Sequence, residues 1–133
     1  MVTFKIGEQP EEKEKLTDLV MCLLHSATIT HIMHWQTESY AAHQALGMYY
    51  SDIPDLIDDL IEAYQGKTTI ILRDFPIKSE SYEQMTPLAY MEYLSEKVTN
   101  GRALFGDDSE IQNLVDAIAD LIDSTMYKLR RFK

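Results

Sequence analysis

Three of the chain's four histidines, His31, His34 and His43, fall within 13 residues, and two carboxylates, Asp58 and Glu62, follow at one-turn spacing. Imidazole nitrogen combined with carboxylate oxygen suits iron, zinc or manganese better than calcium or magnesium. On a helix, residues at i and i+4 have Cβ atoms about 5–6 Å apart. Two carboxylates that close repel each other unless a cation lies between them. Each helical residue turns about 100°, so position 47 lies about 40°, Asp58 about 60° and Glu62 about 100° round from His43. All fall on one stripe if a single helix carries them. A plainer alternative covers the same residues. Asp52, Asp55, Asp58, Asp59 and Glu62 form an acidic run of the kind that faces solvent, and histidines on a buried stripe are commonly hydrogen-bonded core residues.

Four helical segments would have to position these groups. The first spans about Pro10 to Trp35, with Pro10 suited to a first helical position and Glu11 and Glu12 to the positive helix end. Leu16, Leu19, Val20, Leu23, Leu24 and Ala27 recur at helical period, and the stripe continues to His31 and His34. Both are therefore expected to face the core. The second spans about Ser39 to Gln65 and is expected to stop at Gly66. Pro54 interrupts it at a cost of about 3 kcal/mol, yet the apolar phase runs through, so one kinked helix is expected. Residues 67–85 form a long connection in which Thr68 to Leu72 could be extended. Thr86 caps a third helix with Pro87 first, ending at Asn100-Gly101, and a fourth begins near Asp108-Ser109. The fold class is all-α. A long connection between the second and third helices suggests the one-crossover four-helix bundle of ferritin-like proteins, with an up-down-up-down bundle as the alternative if the connector folds back.

The remaining sequence bounds the function. A chain of 133 residues is one domain by length. No apolar run is expected to reach the ~20 residues of a membrane span, and the first eight residues lack a signal-peptide core. The single Cys22 excludes an internal disulfide and fits a reducing cytoplasm; its apolar setting implies a buried, inert thiol. His25, three residues on, could touch it, but no third residue is placed to orient that imidazole. A net charge of -10 repels DNA and anionic membranes. The basic tail Lys128, Arg130, Arg131 and Lys133 suits the negative end of a helix dipole. Phosphate-binding loops, dinucleotide fingerprints and nucleophile elbows are absent from the sequence.

His34-Trp35 ending one helix, His43 early in the next, then Asp58 and Glu62 resemble the Dps family, the miniferritins. The resemblance covers roughly residues 15–66. It implies a ferroxidase site at a two-fold subunit interface, with histidines from one chain and carboxylates from the other. The implied metal ligands are His34 or His31, His43, Asp58 and Glu62, the implied substrate ion is iron, and the implied partner is a second copy in a homodimer or larger cage. Three departures stand out. The family pattern separates its histidines by 12 residues, whereas His34 to His43 is 9 and His31 to His43 is 12. Gly47 occupies the place of an acidic residue. The lysine-rich DNA-binding tail is missing: residues 8–15 hold four acids against two lysines. The segments Gln36-Thr37-Glu38-Ser39-Tyr40, Ala63-Tyr64-Gln65-Gly66 and Met126 to Arg131 also resemble small ferritin-like proteins of tailed bacteriophages, whose function is unassigned. That resemblance implies a helical-bundle interaction or viral accessory protein without ferroxidase chemistry.

Overall fold

A computed structural model describes residues 10–77, 82 and 85–133. Four α-helices form a bundle: α1 Pro10–Gln36, α2 Tyr40–Thr68, α3 Pro87–Gly101 and α4 Ser109–Arg131, with a 3-10 turn Arg102–Phe105 leading into α4. No strand occurs among the described residues, so Thr68 to Leu72 is not a sheet element.

Each start follows its local chemistry. Ser39 caps α2 by accepting from the Ala42 N–H at 3.1 Å, Thr86 caps α3 from Ala89 N–H at 3.1 Å, and Asp108 caps α4 from Glu110 and Ile111 N–H. The end of α2 differs from expectation. The helix passes through Gly66 and stops at Thr69, whose φ of 61° is left-handed. Side chains make this stop. Thr68 Oγ1 donates to Tyr64 O at 2.7 Å, and Gln65 Oε1 accepts from Leu72 N–H at 2.9 Å, turning the chain back onto the bundle. Pro54 sits inside α2 on its exposed side, where water can satisfy the carbonyl it strands.

Contacts at the helix ends fix the topology. The end of α2 meets the start of α4 through Lys67 and Asp108 at 3.0 Å. The end of α4 meets the start of α2 through Lys128 and Met48 at 3.6 Å. Arg130 near the end of α4 reaches Glu92 in α3 at 3.8 Å. Met33, Gln36 and Pro87 line one cleft, placing the end of α1 beside the start of α3, while Gly101 at the end of α3 lies against Leu19. The principal seams are α1–α2, α2–α4, α3–α4 and α1–α3, all antiparallel. Thus α3 runs parallel to α2, and residues 69–86 make the single long crossover, pinned by buried Leu72 and half-buried Phe75.

The core is one apolar cluster from all four helices, including Leu16, Leu46, Ile53, Met91, Leu94, Ile118 and Ile122. Two buried threonine hydroxyls inside it bond to the backbone of their own helices: Thr30 Oγ1 donates to Ser26 O at 2.6 Å, and Thr125 Oγ1 to Leu121 O at 2.8 Å. Helix α1 departs from the expected membrane profile. From Leu19 to Thr37 it holds no Asp, Glu, Lys or Arg, and Glu11–Gln36 is long and apolar enough to cross a bilayer. Of that apolar window 56% is buried inside the bundle, which accounts for the composition as a core helix.

Candidate functional site

The turn between α1 and α2 is only residues 37–39. Thr37 N–H donates to Met33 O at 2.9 Å, and Ser39 N–H donates to Thr37 Oγ1 at 3.2 Å. Two antiparallel helices leaving so short a turn pair residues at nearly equal distances from it. His34 and His43 are such a pair. Their rings stack with centroids 3.6 Å apart and planes 15° from parallel. His34 Nδ1 lies 2.6 Å from His43 O, and His43 Nδ1 lies 2.7 Å from His34 O. A carbonyl only accepts, so both Nδ1 atoms carry hydrogen and donate. The result is a reciprocal clamp, side chain to opposite backbone, across the first corner.

Other rings extend it. His31 stacks on Tyr50 at 3.9 Å and 11° and packs near Trp35 at 4.7 Å. Tyr50 meets His34 edge-on at 5.2 Å, and Tyr40 flanks His43 at 6.3 Å. Trp35, Tyr40 and Tyr50 therefore gather at the histidines. Tyr49 does not. It is fully buried, with its hydroxyl 2.8 Å from Ser26 Oγ. Burial pushes its phenol above the ordinary value of 10.0, opposed by that hydrogen bond.

His31 and His34 do not face the core as their stripe suggests. They are half-buried in the α1–α2 seam, while Ser26, Ile29, Thr30 and Met33 take the interior positions. The apolar stripe of α1 is too broad for its centre to be read from spacing.

Gly47 acquires a role that spacing does not reveal. A Cβ there would lie 3.2 Å from His34 Cε1 and 3.3 Å from His34 Nδ1. The bare backbone makes room for the His34 ring, and a carboxylate side chain would enter the same space. The nine-residue histidine spacing and the glycine at 47 thus fit together: a short turn brings the rings into contact, and Gly47 accommodates them.

Asp58 and Glu62 are exposed on the outer side of α2, beside Asp55 and Asp59. Neither makes an ion pair among the described residues. His43 and Asp58 stand 15 residues apart on one helix, roughly 22 Å at 1.5 Å per residue, so one chain does not unite them. Among the described residues no group of three His, Cys, Asp or Glu side chains is placed to hold an ion.

The histidine pair itself can be tested against an ion. Imidazole ligates in its ring plane at about 2.0–2.1 Å. Stacked rings this close to parallel do not converge at that range, so His34 and His43 of one chain do not fit a shared metal. A single Nε2 lone pair does suit ligation, because a carbonyl fixes the other nitrogen, the usual support for a metal-bound histidine.

Residues 34–129, from the clamp through most of α4, match the model of a family of unknown function, DUF5856. The chain belongs to this family. It is also similar to an uncharacterized 14.6 kDa protein of the mobD-ri intergenic region of Enterobacteria phage T4, 34% identical over 63 residues. That match covers 47% of this chain and 49% of the relative, so the chain spans about half of the curated relative it matches. No solved structure matches the chain.

Proposed function

We propose that this protein is a helical-bundle interaction protein, a viral accessory type of molecule, that works as a pair of copies joined along α1. One observation carries the reading: the uncharged Leu19–Thr37 stretch leaves Leu24 41% and Trp35 68% exposed on its outward side. Leu24, Thr28, His31 and Trp35 repeat at spacings of four, three and four, the seam pattern of paired helices. Each copy carries -10, so like-charged copies meet best where no charge lies. Antiparallel pairing about a two-fold axis sets Leu24 against Trp35, and Thr28 against His31, large beside small. The phage relative supports the accessory class.

Sedimentation equilibrium tests it. The expected result is a dimer that Leu24→Glu and Trp35→Glu each convert to monomer without loss of helical circular dichroism. A native chain that stays monomeric at high micromolar concentration overturns it.

A second reading has its own support. The Nδ1-anchored imidazoles favour Dps-like binding and oxidation of Fe(II), with Fe(II) as substrate and zinc or manganese as competing ions. The poor fit of the stacked pair to one ion limits each chain to His31 or one clamp imidazole, so Asp58 and Glu62 of a second copy would complete the set. Anaerobic Fe(II) titration followed by air decides it. Saturable binding and fast oxidation, lost in His43→Ala and Glu62→Ala, support this reading; slow background oxidation in the native protein removes it.

A further inference from the structure

The seam between α1 and α3 is not closed along its length. Helix α3 has 15 residues against 27 in α1, and the two come together where Gly101 lets Leu19 within 2.8 Å of the place a Cβ would take. Beside that contact lies a cleft of about 430 Å³, with Pro76 of the crossover at its edge. This is within the size of small-ligand sites, roughly 300–1,000 Å³.

Its walls have two characters. Buried Leu19 and half-buried Leu104 and Tyr93 supply apolar surface. Lys15, Lys97, Asn100 and Asp18 supply polar groups. Lys97 Nζ sits 5.5 Å from the Tyr93 ring centroid, which places its ammonium beside the aromatic wall. Neither Lys15 nor Lys97 makes an ion pair among the described residues, although Lys67, Arg102 and Arg130 all do. Two lysines against Asp18 leave the lining cationic by one charge, on a molecule that is otherwise strongly acidic.

We propose that this cleft binds a small amphipathic monoanion: an apolar chain or ring lies against Leu19, Leu104 and Tyr93, and its carboxylate meets Lys97 and Lys15. The site is separate from the histidine clamp and from the outward strip of α1, and it stands whether or not copies pair.

The test is amide and side-chain NMR of the full chain titrated with decanoate, and with decylamine as the cation of matching length. Saturable shifts confined to His25, Tyr93, Lys97 and their neighbours, with decylamine inert there, are expected. Lys97→Gln should weaken decanoate about tenfold, the loss of one charge-assisted hydrogen bond, and Lys15→Gln should act in the same direction. Absence of saturable shifts overturns the proposal. So do shifts centred on Leu24 and Trp35, equal binding of the amine, or a Lys97→Gln variant that binds decanoate as the native chain does.

Discussion

The two ends of this bundle are fastened by opposite means. At the α1–α2 corner, half-buried imidazoles stack and donate to the facing backbone. At the other end, Lys67 bridges Asp108 at 3.0 Å and Glu110 at 2.7 Å in the open. The first joint is geometric. Its hydrogen bonds are shielded and its rings fit a cleft made by Gly47. The second is electrostatic, hydrated and open to screening. A joint at each end therefore does not mean equal stability at each end.

Removing the clamp should do most harm. His34→Ala loses a ring stack and a hydrogen bond, together about 1–3 kcal/mol, measurable as a lower midpoint in urea unfolding. A loss below about 0.5 kcal/mol would show that the stack is decorative. Gly47→Ala should come next, and its sign is informative. Helix propensity favours alanine by about 1 kcal/mol, but the new methyl crowds a ring stacked on His43 and anchored through Nδ1. Net destabilisation is expected in the native background and stabilisation of about 1 kcal/mol in His34→Ala. The same sign in both backgrounds would dismiss the fit between Gly47 and the ring.

Gly66→Ala isolates propensity from packing. Gly66 is helical and exposed, and a Cβ added there would meet nothing within 4 Å, so the substitution should raise stability by about 1 kcal/mol. Lys67→Met at the ionic end should have the smallest effect and should vanish at high salt. Hydrogen bonding to Lys67, then to the Ile111 N–H, holds the Asp108 carboxyl below its ordinary 3.8. That contribution is present above the unfolded value and fades as pH falls through the folded one. Lys67 is raised above 10.5, first by Glu110 and then by Asp108, so its share is full below that value and fades as pH rises through the folded one. A salt-independent loss in Lys67→Met would erase the contrast between the ends.

The sequence discloses the helices well because their signals are local. Thr86-Pro87 and Asp108-Ser109 state their starts in a few atoms, and the long segment between Gly66 and Thr86 implies a crossover. It discloses the site less well because the decisive facts are relations between elements. Gly66 carries a stop signal, but the stop is made by Thr68, Thr69 and Gln65 acting on carbonyls and on Leu72. Gly47 looks like a lost ligand, yet its neighbour is a ring from another helix. One further signal is present in the spacing. With a turn of three residues, His34 three residues before it and His43 four after it come face to face, and nine-residue separation here means contact. Asp58 and Glu62 are legible as neighbours on one face, while what lies opposite them is not a property of a single chain.

The brevity of the 37–39 turn also bears on the order in which the fold assembles. His34 and His43 close one of the smallest tertiary loops in the molecule, and closing a small loop forfeits little chain entropy. The α3–α4 hairpin closes over the longer 102–108 connection, and contacts between the two hairpins must await the far larger circuit of the crossover. The α1–α2 hairpin should therefore nucleate assembly, with substitutions at Ser26 and His34 slowing refolding and substitutions at Met91 or Leu94 chiefly hastening unfolding.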